Sequence, residues 1–412
     1  VSELVVRGVE TEAELLEAHH LVARTQQFER EKALVWLATA GRAWPGFEWG
    51  AVRIALHEGR IVGALRVIDV PLRIGQARLH AGGIGWVSTD KHKRGQGICA
   101  ALMADAHDYM QQKGFELSLL FGIPNLYQRF GYISAIPERS VRIQLADLPH
   151  ELVGSCTHRM FHEEDVPAIL EIYDRSERDA SCSVVRNDEW ILAQALSTDP
   201  KTSYWPDWPG TYIFLDEHEE VVGWLTPQRS EGELHIKELG ARDESVCEDL
   251  LVMAKVLAHR AHADRIRFHV PPSHLFARYL EQFDSIHETH FFRNREGMVK
   301  LLDFDRVVQA MLPEWAHRLQ SCCRHVRVNV SVRVGKRFVR LKAIEGRMEV
   351  DHAVDSEDLS LLATQFVLLM TGSRRPEDVI GSDWQSLDEE QRNLLRLIFA
   401  RREPNLWPID HF

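Results

Sequence analysis

The sequence predicts an α+β protein of three successive units, and three stretches carry that prediction. Residues 83–132 read as a strand, a basic glycine-bearing turn, an amphipathic helix and a second strand. A similar succession returns over residues 212–262. From about residue 297 a helix is followed by a run of strands and then by further helices, the signature of a further α+β unit.

Taken in order, residues 5–9 are apolar and β-rich, and residues 11–24 follow a helical period. Residues 28–40 form a second helical stretch. Glu58-Gly59-Arg60 separates two β-rich runs and marks a hairpin, followed by short strands at 77–80 and 84–87. The turn Lys91-His92-Lys93-Arg94-Gly95-Gln96-Gly97 opens a helix over 98–113, with Ala101, Leu102, Ala106, Tyr109 and Met110 at helical spacing. Gly114 ends it, 117–121 is a buried strand, and Tyr127 follows.

A strand, a glycine turn and a helix start make an anion site, because the first helical N–H groups have no partners within the helix. Gly95 and Gly97 remove side chains that would hold a pyrophosphate away, and Lys91, Lys93 and Arg94 add positive charge. No Gly-Lys-Ser/Thr follows, so this is not a P-loop, and the spacing is not that of a dinucleotide fingerprint. The stretch Arg94-x-x-Gly97-x-Cys99 resembles the acetyl-CoA turn of the GNAT N-acetyltransferases, with Cys99 in place of the usual glycine or alanine. Tyr127-Gln-Arg-Phe130-Gly131-Tyr132 resembles a second segment of that family.

The succession over 212–241 echoes residues 54–67 and the strand after them, placing Gly223 where Gly63 was. Its turn is Arg242-Asp243-Glu244, with two carboxylates where a pyrophosphate would sit; like charges repel. This unit is expected to keep the fold without holding CoA. In the last unit, a helix over 301–312 is capped by Asp303 or Asp305, and 326–334 alternates with period two. Strands at 338–344 and 346–350 and helices at 356–371 and 387–400 complete it. The order resembles the sterol-carrier-protein fold. The expected domains are 1–150 (catalytic), 151–296 (degenerate) and 297–412 (sterol-carrier-like). Two GNAT-like units before such a domain resemble the architecture of the Eis (enhanced intracellular survival) acetyltransferases.

The resemblance implies a chemistry. Val87, Ser88 and Thr89 line the pantetheine arm of acetyl-CoA, and a backbone N–H on that strand polarises the thioester. Arg94, Gly95, Gln96, Gly97, Ile98, Cys99 and Ala100 hold the pyrophosphate, while Gly122 and Ile123 flank the arm. Tyr127 stands at the family's general acid, and Tyr132 is assigned to packing. The family's base is the carboxylate of an aromatic last residue; this sequence reads Leu406-Trp-Pro-Ile-Asp-His-Phe412, and Asp410 and His411 are alternatives to Phe412. Phe28, Glu29, Glu31 and Trp36 lie where the family forms its acceptor cleft, but a solvated helix face with one buried tryptophan explains them as well. The acceptor implied is an amine, notably an aminoglycoside-like polyamine, and the assembly a homohexamer. Other readings are a protein-lysine or small-polyamine acetyltransferase, or a non-catalytic lipid-binding or scaffold protein.

Composition bounds the rest. With 61 acidic and 49 basic residues the net charge is −12, which argues against nucleic acid as a partner. No run of 18 apolar residues is present, so no membrane partner is expected. Cysteines 99, 156, 182, 247, 322 and 323 form no CxxC pair, which points to reduced thiols in a cytoplasm. The histidines at 269, 274, 287 and 290 lack zinc spacing, so no metal is expected. The first twenty residues are acidic, unlike a signal peptide.

Overall fold

Three strands cross between sheets, and the exchange of two of them, Glu138–Gln144 and Glu296–Leu301, decides where the site forms. A computed structural model describes residues 4–26, 30–198, 210–322, 327–352 and 356–412. Phe28 and Glu29 lie outside the described residues.

Among these residues the first sheet has eight strands, in the order Leu4–Gly8, Val52–His57, Arg60–Ile74, Ala77–Thr89, Leu117–Gly122, Glu296–Leu301 and Ile133–Ile136, with Ser181–Val184 paired to Arg60–Ile74. The second sheet runs Ser285–His290, Glu138–Gln144, Arg265–Phe268, Glu233–Ala241, Val221–Ser230, Tyr212–Leu215 and Thr157–Met160. A third, smaller sheet orders Arg347–Asp351, Arg337–Ile344, Arg327–Val334 and Leu359–Leu361.

Strands on either side of the expected domain boundaries at 150/151 and 296/297 pair with one another. The chain leaves the first sheet after Ile136 and enters the second at Glu138, where Val141 pairs with Phe268. It returns after His290, and Glu296–Leu301 lies between Leu117–Gly122 and Ile133–Ile136. Alternation identifies a strand without naming its neighbour, and these two find theirs across the unit boundary. Pro137 sits at the first crossing; lacking an N–H, it suits a break in the ladder.

Two other expectations change. Residues 77–80 and 84–87 belong to one long strand, Ala77–Thr89. The helix expected over 356–371 divides into a short strand, Leu359–Leu361, and the helix Ala363–Met370. Asp358 causes the division: its carboxylate accepts from Ser331 N at 2.7 Å and its own N–H donates to Ser331 O at 2.8 Å, pinning the segment to the sheet edge. The helix Phe304–Ser321 is capped by Asp303, which accepts from Arg306 N at 3.1 Å.

The helix Ile98–Lys113 follows its predicted bounds. Gly114, at φ 83°, ends it by donating to the Gln111 and Met110 carbonyls. Leu102, Met103, Ala106 and Met110 are buried against the first sheet. None of the described helices is long and apolar enough to cross a membrane.

Candidate active site

The basic turn leaves its helix start open. Gly97 is the residue before Ile98, at φ 81°, and no side chain caps the helix there. A Cβ built on Gly95 or Gly97 would meet nothing within 4 Å, so the backbone is bare toward solvent. Arg94, Gln96 and Ala100 are exposed, Cys99 is half-buried, and Ile98 turns into the core. Unpaired N–H groups, the helix dipole and a cationic side chain together favour an anion.

Below the turn the sheet opens. Ala77–Thr89 and Leu117–Gly122 pair in parallel only from Ala81↔Leu117 to Gly83↔Leu119. Each strand is then held on its far side. Ala77–Thr89 stays bonded to Arg60–Ile74 as far as Thr89↔Gly63, and Leu117–Gly122 stays bonded to Glu296–Leu301 as far as Gly122↔Glu296. The result is a fixed V-shaped gap in which neither strand bonds the other. A bulge adds to it: between the pairs Arg66↔Gly85 and Ala64↔Ser88, Trp86 takes φ 60°, a conformation non-glycine residues seldom adopt. Val87 and Thr89 are half-buried on this wall; Ser88 is buried. The Trp86 ring lies edge-on to Trp36 and His19, at 5.9 and 5.7 Å between centroids.

Tyr127 stands at the end of the other wall. It is buried, and its ring lies over Gly122, where a Cβ would come within 3.0 Å of Cδ2. Ile123 beside it is exposed. Burial pushes the Tyr127 phenol up to about 12, so it is protonated at neutral pH. Tyr132 bonds Ser118 Oγ at 2.6 Å and His107 Nε2 at 3.0 Å, the packing role expected of it.

Phe412 lies at the vertex. A Cβ on Gly83 would fall 2.4 Å from Phe412 Cζ, and one on Gly85 would fall 3.2 Å from its carbonyl carbon. The ring therefore covers Gly83 and the terminal carbonyl group sits over Gly85, while Met110 packs where a Cβ on neighbouring Gly82 would lie. Phe412 also meets Phe121 edge-on, at 5.6 Å.

Residues 6–135 match the family model described as an acetyltransferase (GNAT) domain. The first unit is a GNAT domain. No match appears among curated proteins. Among solved structures, a GCN5-related N-acetyltransferase from Kribbella flavida superposes with a TM-score of 0.71 at 19% identity, covering 100% of this chain and 99% of that one. One from Anabaena variabilis ATCC 29413 gives 0.74 at 15% identity, and Eis1 from Mycobacterium abscessus gives 0.64 at 14%; each match covers 100% of both chains. These likenesses establish a common fold over the full length. The GNAT domain makes the chain an acyltransferase, with an acyl-CoA as co-substrate and an amine as acceptor.

The second unit has a different helix start from the GNAT domain. Asp243 accepts from Ser245 N at 3.0 Å and Oγ at 2.5 Å, so its carboxylate fills the place an anion would take. Arg242 is drawn aside to Asp216, at 3.1 Å.

The tail before Phe412 is ordered by burial. Trp407 and Ile409 join the core of the second unit, and Trp407 Nε1 donates to Glu177 Oε1 at 3.2 Å. Asp410 is 0% exposed. It accepts from Arg186 Nε and Nη2 at 3.2 and 2.8 Å, from Trp190 Nε1 at 2.8 Å and from Gln194 Nε2 at 2.5 Å. With its oxygens committed, Asp410 is not available as a base, which corrects that alternative. His411 stacks on Phe121 at 3.5 Å between centroids.

Sequence reasoning missed the Trp86 bulge, the strand Glu296–Leu301 and Arg186. The one available signal was Asp410 itself, a lone acid in an apolar tail. Two expectations follow. Gly83→Ala should displace the Phe412 ring, lowering turnover about tenfold while an acyl-CoA still binds, as steady-state rates beside calorimetric titration would measure. The second concerns Glu177, which burial raises from the usual carboxylate range to about 7. A folded-state value above the unfolded one stabilises the fold below pH 4.5, and this is lost as pH rises through 7. Glu177→Gln removes that loss, so its melting temperature should exceed that of the parent at pH 8 but not at pH 5, by the equivalent of about 1–3 kcal/mol.

Proposed function

We propose that the protein is an acetyl-CoA-dependent amine N-acetyltransferase of the Eis type, acting on aminoglycoside-like polyamines. The placement of Phe412 over Gly83 and Gly85, at the vertex of the gap, carries this reading. Residues 94–100 hold the pyrophosphate, and Val87, Ser88, Thr89, Gly122 and Ile123 flank the pantetheine arm. The neutral amine attacks the thioester carbon, whose oxygen is received by backbone N–H at the bulge. Phe412 takes the proton released by the amine, and its carboxylate is ionised at neutral pH. As the C–S bond breaks, Tyr127 gives its proton to sulfur, leaving an amide and the CoA thiol. The phenol is a weak acid, but a thiolate formed in the same desolvated cleft is a correspondingly stronger base.

The third unit we assign to the sterol-carrier fold, the assembly to a homohexamer and the location to the cytoplasm. The deciding experiment is acetyl-CoA consumption with kanamycin-like aminoglycosides, spermidine and lysine peptides. Turnover with the polycationic small molecules supports the reading; turnover with lysine peptides alone makes the protein a lysine acetyltransferase. Binding of CoA without turnover on any of them overturns the amine reading.

A further inference from the structure

In the second unit too the parallel pairing stops short, and the tail lies against the space beyond it. Glu233–Ala241 and Arg265–Phe268 pair in parallel only as far as Ile236↔Phe268. Beyond that rung Glu233–Ala241 continues through Lys237 and Glu238, whereas Arg265–Phe268 has ended and His269 N donates to Ile236 O at 3.0 Å. Leu406, Pro408 and His411 share a cavity of about 200 Å³ with Lys237 and His269. Ile409 lines a smaller one with Glu238, Trp224 and Gln194. The tail thus lies past the last rung of the second unit and ends over the last rung of the first.

One ionic arrangement fixes it there. The Arg186 guanidinium is 0% exposed and reaches Asp410 Oδ2 at 2.8 Å and Glu238 Oε1 at 2.5 Å. It also lies over the Tyr173 ring, 4.0 Å from the centroid. Arg186 follows the strand Ser181–Val184, which pairs with the first sheet, whereas Glu238 belongs to the second. Asp410 therefore ties the tail to a cation that both sheets hold. Breaking a fully buried pair leaves an uncompensated charge, so the tail has one seating here rather than many. Two peptide bonds separate Asp410 from Phe412, too short a span to absorb a displacement of the anchor.

We infer that the degenerate second unit serves as a socket for the C-terminal tail, and that Asp410, clamped by Arg186, Trp190 and Gln194, is a positioning residue that sets Phe412 over Gly85. The inference rests on Phe412 being the base. It gives the second unit a role in the reaction: the space beyond its last rung holds the polypeptide that carries Phe412 to the first.

The test combines Asp410→Asn with Gln194→Met, a milder change that removes one donor and leaves the ion pair intact. Both are assayed with acetyl-CoA and spermidine or kanamycin A, titrated with CoA, and exposed to carboxypeptidase A with release of Phe412 followed by mass spectrometry. In Asp410→Asn we expect turnover to fall about 10²-fold, the loss that misplacement by an ångström can cause. CoA affinity should stay within about twofold, because residues 94–100 are untouched. Phe412 should become cleavable in the folded protein, and added formate should restore part of the rate by standing in for the displaced carboxylate. Gln194→Met should move each readout the same way by less, and it carries the test if Asp410→Asn does not fold. A protected tail with unchanged turnover in either folded variant overturns the inference. A chain ending at His411 separates the two readings. If that chain is fully active, Phe412 is not the base; if it is inactive while Asp410→Asn turns over normally, the base reading stands and the socket fails.

Discussion

Tyr127→Phe is expected to lower the rate of acetyl transfer by about 10²–10³-fold, the range a positioned general acid supplies. The ring packs over Gly122 and the phenol contributes its oxygen alone, so the variant keeps the wall of the gap. CoA affinity by titration and the melting temperature should both stay close to those of the parent. Burial holds the phenol near 12, so no alkaline limb from this group should appear in the parent's rate profile below pH 10. Turnover by the phenylalanine variant within about threefold of the parent would remove Tyr127 from the reaction.

Appending a few residues after Phe412 should have the larger effect, a loss of about 10³-fold or more, because it removes the proposed base and crowds the vertex together. The carboxylate would become a peptide carbonyl, which takes no proton at neutral pH. The added chain would also have to leave a place where Phe412 already covers Gly83 and Gly85. Melting temperature should change little, since Trp407, Ile409 and Asp410 carry the burial of the tail. His411→Ala is the companion variant and should retain most of the rate. Full activity of the extended chain would exclude the terminal carboxylate; loss of activity in His411→Ala alone would transfer the role to the imidazole.

Much of the catalytic unit was legible because its signals are local. Gly97 and Gly114 bound the helix Ile98–Lys113 through backbone conformations that glycine adopts most readily, and both positions could be read without any knowledge of tertiary contacts. The carboxylate of Asp243 at the second helix start was legible for the same reason: charge at a helix terminus acts over a single turn. The strand Leu359–Leu361 was misread as helix because its apolar residues fit either period over so short a run. Only the paired hydrogen bonds between Asp358 and Ser331 settle it.

By itself the sequence determined the helix Ile98–Lys113, the glycine-bearing turn before it and the charge at the second helix start, since each depends on residues a few positions apart. Tertiary structure alone decided that Glu296–Leu301 holds Leu117–Gly122 away from Ala77–Thr89, and that Arg186 holds Asp410. Those contacts join residues more than 170 and 220 positions apart, and no spacing rule reaches that far. They form because buried strand edges and buried charges must find partners wherever the folded chain supplies them.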